Sequence, residues 1–475
     1  YGVWQVLLRT LNDIGGIDGK PTTALKWIIA NKQNETNHEE KLCAIASAIT
    51  IWLLFLPFSL LLAISFVGLF PSLIEIPNGH QRLVQIAACI LLINVVLDGL
   101  TGIPEALLRG MNLGYKRMGI MVCILVLRGL LFVGVIYLDW DIIGIAITEV
   151  VINFLTAIIF WQIVKANLPW IQLIRPNWRE VKRFFSYSGL FFVSDIVKRY
   201  DGISDVIILG MVTSTTHVTN YVCSFYLVQT SIVLPTLIIS GALPGIGGLL
   251  GLQLKSKVAS LRAEMMAIAW LITTTIGGVI LLWNRSFVSR WVGSDRYAGN
   301  FASLLMVIVA LQIMLTRNDE NIIEISLNVR QKIVFGLLSA LLSTAFAAYL
   351  GKQFGISGFL SGLIVGRLLM SIGYPIIVGD YLGIPHISQL KAVLRPFLIT
   401  TLLFLIFYLF SPKLYAKNWL SLIASASITG ITTASLLWFA GLDASMRRQL
   451  LSRLKPFLGY GHDLVRTISR DAIRD

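Results

Sequence analysis

The chain has 475 residues, 56% of them hydrophobic and only 13% charged, with a mean hydropathy of +0.77 and a formal net charge of +14. That composition excludes an ordinary soluble domain. Apolar runs of about 20 residues recur from end to end, each long enough to cross roughly 30 Å of hydrocarbon, and the strand-like alternation of a membrane barrel is absent.

The opening YGVWQVLLRTLNDIGGIDGKPTTALKWIIA reads as a crossing segment broken in its middle by Gly15, Gly16, Gly19 and Pro21, with Arg9, Asp13, Asp18, Lys20 and Lys26 along it. Freed backbone at membrane depth is tolerated only where it lines a cavity. Apolar segments follow at 43–70, 83–108, 118–138 and 142–164, and a basic connection containing Pro leads from Lys165 to Arg183. Later segments run over 184–211, 217–250, 258–283, 299–325, 331–350, 355–378, 393–411 and 417–440, which makes thirteen expected crossings.

The stretch FFVSDIVKRYDGISDVIILG at 191–210 could span a bilayer, yet it carries Asp195, Lys198, Arg199, Asp201 and Asp205. At about 100° per residue these side chains fall within an arc of roughly 160°. Each would cost on the order of 3 kcal/mol at the bilayer centre, so they must face protein or a water-filled cavity.

The basic residues sit in short connections and report topology and anionic lipid rather than nucleic acid. Lys32 and Lys41, Lys116 and Arg117, the group Arg175 to Arg183, Lys255 to Arg262, and Arg330 with Lys332 define the cytoplasmic side. The exception is NRSFVSRWVGSDR, which puts Arg285, Arg290 and Arg296 on the predicted outer side. Cys43, Cys89, Cys123 and Cys223 lie in apolar stretches with no close pair, and the five histidines are scattered, so neither a disulfide framework nor a metal cluster is expected. No GxxxxGKS/T loop is present, and GALPGIGG after Ser240 lacks the setting of a dinucleotide loop. The expectation is no cofactor and no enzymatic activity.

An internal repeat organises the chain. DWDIIGIAITEVVINFLTAIIFWQIV resembles GKQFGISGFLSGLIVGRLLMSIGYPIIV at an offset of 214 residues, which places Gly144 opposite Gly358, Glu105 opposite Asp319, Asp98 opposite Gln312 and Asn153 opposite Arg367. The expected fold is an all-α polytopic membrane protein of two pseudo-symmetric six-helix bundles plus two extra helices. By that count there are fourteen in full length, with the first missing from this chain. The expected parts are an N-terminal bundle over 1–170, a cytoplasmic connection over 171–182, a C-terminal bundle over 183–380, two additional helices over 381–442 and a basic amphipathic cytoplasmic tail over 443–475.

The intramembrane charges are the candidate functional residues. Asp98, Glu105 and Arg109 share a helix face, as do Arg317, Glu320 and Glu324, with Asp319 beside them; Glu149 and Arg367 lie inside the paired sixth helices. Arg128 is near the centre of its segment with no local acid. Arg128, Lys198, Arg199, Arg9, Lys20, Arg109, Arg317 and Arg367 could neutralise a pyrophosphate or acidic sugar. Asp195, Asp201, Asp205, Asp98, Glu105, Asp319, Glu320 and Glu149 are the candidates for coupling to H⁺ or Na⁺. The competing reading is a set of internal salt bridges, Lys198 with Asp201 or Asp195 and Arg109 with Glu105, that only lock helices together.

YGVW, the broken LNDIGGIDGKPTTAL, the ALLRGMNLGYKR turn, NRSFVSRWVG and the six-plus-six repeat resemble the Wzx-type polysaccharide flippases of the multidrug/oligosaccharidyl-lipid/polysaccharide (MOP) exporter superfamily. The resemblance implies a MATE/MurJ-like fold in the bacterial inner membrane. It also implies alternating-access translocation of a polyprenyl-pyrophosphate-linked oligosaccharide, with membrane lipids and polysaccharide polymerase or export machinery as partners. The other expectation of the same fold is a cation-coupled drug or metabolite exporter, whose interior should be dominated by acids and aromatics. A membrane-embedded polymerase or glycosyltransferase would need a long outer loop, which the sequence lacks.

Overall fold

The computed structural model describes residues 2–73, 81–172 and 174–453, apart from the side chains at 2, 3, 5, 6, 71–73, 201–204 and 215. The described residues form helices joined by short turns and connections, with no strand among them. In order the helices are α1 (Gly2–Gly15), α2 (Pro21–Asn31), α3 (Glu39–Leu73), α4 (Gln81–Gly110), α5 (Tyr115–Tyr137), α6 (Asp141–Asn167) and α7 (Trp178–Val212). There follow α8 (Thr215–Gly251), α9 (Lys255–Trp291), α10 (Asn300–Ile325), α11 (Val329–Leu382), α12 (His386–Phe410) and α13 (Trp419–Leu436). Among the described residues, ten of these helices are long and apolar enough to cross a membrane. The difference from thirteen expected crossings has a simple origin. α1 and α2 are two short pieces of one broken segment, α7 is too charged, and α11 is one continuous trace with a sharp kink at Phe354 and Gly355.

The repeat is visible in the backbone. Asp141 opens α6 with φ +49°, and Gly355, 214 residues on, turns the kink of α11 with φ +59°. The Asn34 amide donates to Gly248 O, also 214 residues on, at 3.2 Å. Beyond the kink, the second arm of α11 packs backbone-to-backbone on the first. A Cβ at Gly358, Gly362 or Gly366 would lie 2.1, 2.4 or 2.3 Å from Leu350, Ala347 or Ser343 backbone atoms. In lipid, where apolar contact alone gives no preference for a neighbouring helix, such small-residue spacing is what allows close packing.

The chain divides into two compact units. The first comprises Tyr1–Ile196, Gly241–Leu254 and Glu324–Ile333, the second Val197–Ser240, Lys255–Ile323 and Val334–Asp475. Within α7 the division falls between Ile196 and Val197. The core of the first unit joins Leu7 and Leu11 of α1, Phe70 of α3, Leu91 of α4 and Ala146 of α6. In the second unit Leu209, Val228, Met306, Phe359 and Phe404 bring together α7, α8, α10, α11 and α12. Residues 444–453 are helical and continue this unit, with Leu442, Met446 and Leu450 packed on Ala267, Ile268 and Trp438, and Arg453 within 3.1 Å of Glu264. The rest of the expected amphipathic tail lies outside the described residues.

Candidate functional site

The break between α1 and α2 gathers the first group of charges. Gly19 and Lys20 both take positive φ, 73° and 54°, and Pro21 starts α2 without needing an N–H partner. The carbonyls released by the break accept hydrogen bonds from other helices, Ile17 O from the Ser59 hydroxyl at 3.0 Å and Gly19 O from the Ser188 hydroxyl. This satisfies backbone that hydrocarbon could not. The turn places Lys20 Nζ 3.2 Å from Asp195 Oδ2, while the Lys20 N–H donates to Asp18 Oδ1 at 2.9 Å. Asp98 lies against the same turn, since a Cβ on Gly15 would fall 2.7 Å from its Oδ2. Asp18 is close enough to both Asp98 and Asp195 for their charges to interact. The group therefore holds three carboxylates and one ammonium. Asp18 was not among the sequence candidates, although its place two residues before Lys20 in the broken stretch was the available signal.

A second group of the first unit lies between α5 and α6. Contrary to the expectation of no acid near it, Arg128 has Glu149 Oε2 at 3.6 Å, with Glu149 almost fully buried. Its Nη2 also donates to Asn153 Oδ1 at 3.3 Å, and the Asn153 amide donates to Asn94 Oδ1 at 3.1 Å. The partner was invisible in the segment of Arg128 because it belongs to the next helix. Glu105 Oε1 is shared by Arg109 at 2.7 Å and Arg117 at 3.0 Å. Arg9 is exposed on α1.

In the second unit Lys198 Nζ lies 3.0 Å from Glu320 Oε1. Arg367, 4% exposed, has Asp205 Oδ2 at 3.4 Å, and buried Tyr221 is close to both. Arg199 and Arg317 are half-buried, and Arg317 forms no ion pair with another described residue. The Asp201 side chain lies outside the described residues. Asp319 differs from the role expected of it. Fully buried, it receives Arg262 Nε and Nη2 on its two oxygens at 2.6 and 2.8 Å, and Arg262 Nη1 donates to Gln389 at 3.0 Å. A carboxylate engaged on both oxygens by one guanidinium is a clamp joining α9, α10 and α12, not an open ion ligand.

Outside the spans, Lys32 in the connection after α2 contacts Glu40 and has Glu35 at 3.4 Å. Burial alone would lower its pKa, but the two carboxylates outweigh burial and raise it.

The arrangement has known counterparts. A MATE protein crystallised as a point mutant superposes with TM-score 0.68 at 12% identity, covering 80% of this chain and 88% of that one. The chain has the MATE fold. A MOP superfamily transporter from Pyrococcus furiosus, described as having a binding pocket of reversed polarity, matches with TM-score 0.66 at 12% identity over 80% of this chain and 88% of that one. A Vibrio cholerae MATE transporter matches with TM-score 0.64 at 13% identity, over 82% and 90%. Residues 28–244 of this MATE-fold chain match the family described as polysaccharide biosynthesis protein, a span of less than half its length. No curated protein sequence matches it.

Proposed function

We propose that this chain is a flippase that moves a polyprenyl-pyrophosphate-linked oligosaccharide, a repeat unit of O-antigen or exopolysaccharide, across the bacterial inner membrane by alternating access. The observation that carries the reading is the polysaccharide-biosynthesis match over residues 28–244 in a chain of MATE fold. The charges are consistent with such a cargo. Arg128, Lys198 and Arg367 within helices and Lys20 at the α1–α2 break each meet a carboxylate, so positive charge is held ready without the cost of an isolated ion. A pyrophosphate could take over such a cation from its internal acid, because phosphate oxygens accept the same charge-assisted hydrogen bonds. In this proposal Arg128, Lys198, Arg199 and Arg317 meet the cargo, and Asp98 and Asp195, joined by Asp18, exchange H⁺ or Na⁺.

The acid-rich group at the α1–α2 break favours a second reading, a cation-coupled exporter of a drug or metabolite, because three carboxylates around one ammonium would also attract an organic cation. One experiment separates the two. In proteoliposomes, a fluorescent polyprenyl-pyrophosphate oligosaccharide is followed by its accessibility to an external reagent, alongside efflux of a cationic dye. Protein-dependent movement of the lipid is expected, slowed when H⁺ and Na⁺ gradients are both collapsed. Dye efflux with no movement of several such lipids would replace the first reading with the second.

A further inference from the structure

The positive-inside bias leaves few cations at the outer ends of membrane helices, yet one end of the second unit breaks it. The C-terminal part of α9, the short 3₁₀ turns Ser294–Arg296 and Ser411–Lys413, and the connection into α13 bring together Arg285, Arg290, Arg296, Lys413 and Lys417. In these segments Asp295 is the single carboxylate, and its pairing with Arg296 at 3.6 Å is exposed on both sides. By contrast, the α5–α6 connection of the first unit carries Asp139 and Asp141 and no cation.

Two hydrogen bonds hold the cationic segments together. Arg290 Nε donates to Ala416 O at 3.1 Å, and the Ala416 N–H donates to Ser286 Oγ at 3.1 Å. Arg285, Lys413 and Lys417 are exposed and form no ion pair with described residues. Their depth is fixed by a neighbour. The Asn284 amide bonds Ser224 O at 3.0 Å and reaches the Ser303 hydroxyl, which lies in the first turn of α10. Arg285 therefore sits between one and two helical turns, roughly 9 Å, inside the end of α9 at Trp291. At the end of α9, Trp291 lies tilted against Phe287 and Tyr226, and Phe287 meets Trp419 edge-on; Trp291 and Trp419 are both about half exposed.

We propose that this end of the second unit docks the phosphate headgroups of anionic phospholipid in the outer leaflet. Exposed tryptophans beside unpaired cations fit the headgroup layer, where the rings meet acyl chains while the cations meet phosphate. A soluble polyanion would satisfy the cations but leave the aromatic group in water. The surface is independent of the cargo, so it stands or falls separately from the flippase reading.

The test uses the full chain in nanodiscs containing photoactivatable phosphatidylglycerol or phosphatidylcholine, with labelled peptides mapped by mass spectrometry. Phosphatidylglycerol should label the peptides around Arg285 and Lys417 in preference to phosphatidylcholine. In Arg285→Gln/Lys417→Gln that preference should fall on the order of tenfold, while labelling near Lys255 and Lys257 at the opposite end of α9 stays unchanged. If the double variant is lost in purification, Lys417→Gln alone, on an exposed connection, gives the same comparison with a smaller drop. Equal labelling by the two lipids, a preference that survives the substitutions, or binding of dextran sulfate at these peptides in place of phosphatidylglycerol would overturn the proposal.

Discussion

Glu105 and Asp319 occupy the same place in the two repeats, near the ends of α4 and α10, and live in different surroundings. Glu105 is 30% exposed and shares one oxygen between Arg109 of its own helix and Arg117 of α5. Asp319 is 0% exposed and held on both oxygens by Arg262 of α9, which is itself tied to Gln389 of α12. The partners differ as well as the burial. The position 214 residues before Arg262 is Ala48, and only the second unit has α12, whose Gln389 accepts from Arg262. Position within a repeat thus sets which residue type sits at a helix end, but the elements outside the repeat set what that residue can do. Asn153 and Arg367 give the same lesson. At equivalent positions of α6 and α11, one relays a hydrogen bond from Arg128 to Asn94 and the other is a buried cation against Asp205.

This contrast can be broken by substitution. Asp319→Ala leaves the Arg262 guanidinium buried beside a vacated partner, a change that costs about 3–5 kcal/mol. Detergent-solubilised Asp319→Ala should melt well below the wild type or fail to accumulate in the membrane, and near-wild-type melting would show that water reaches Arg262. Arg128→Ala, in the less covered network of the first unit, should still insert, with a smaller loss of melting temperature from the unpaired Glu149, yet flip lipid-linked oligosaccharide at least about tenfold more slowly, the equivalent of one lost charge-assisted hydrogen bond. Wild-type transport by that variant would reduce Arg128 to a structural partner of Glu149. Glu105→Ala should cost less, about 1–2 kcal/mol, because Glu105 is itself 30% exposed and Arg109 is 45% exposed, although Arg117 is 12% exposed. A loss of stability matching that of Asp319→Ala would mean that the two repeat positions are equally buried, and would remove the contrast.

Much of the fold was legible in the sequence because hydrophobic run length and Gly/Pro punctuation act locally. The segment expected at 83–108 is α4 at Gln81–Gly110, the one at 217–250 is α8 at Thr215–Gly251, and the boundary between 331–350 and 355–378 is the kink at Phe354 and Gly355. The offset of 214 residues foretold equivalent turns as far apart as Asp141 and Gly355. Charge pairing was legible only where both partners share a helix turn, as in Glu105 and Arg109.

The remaining partners belong to tertiary structure. Lys198 meets Glu320, Arg128 meets Glu149, and Lys20 meets Asp195, each across helices whose rotation about their axes no local pattern fixes. Arg262 illustrates the limit most clearly. In the sequence it belongs to a basic connection and marks the cytoplasmic side, but packing of α9, α10 and α12 buries it against Asp319. Sequence by itself determined where the chain can cross a membrane, where helices break and which positions repeat, since those depend on transfer free energy and backbone geometry along the chain. Which charge faces which was decided only when the helices packed, because burial and the distance between ions are properties of neighbours that the chain order does not contain.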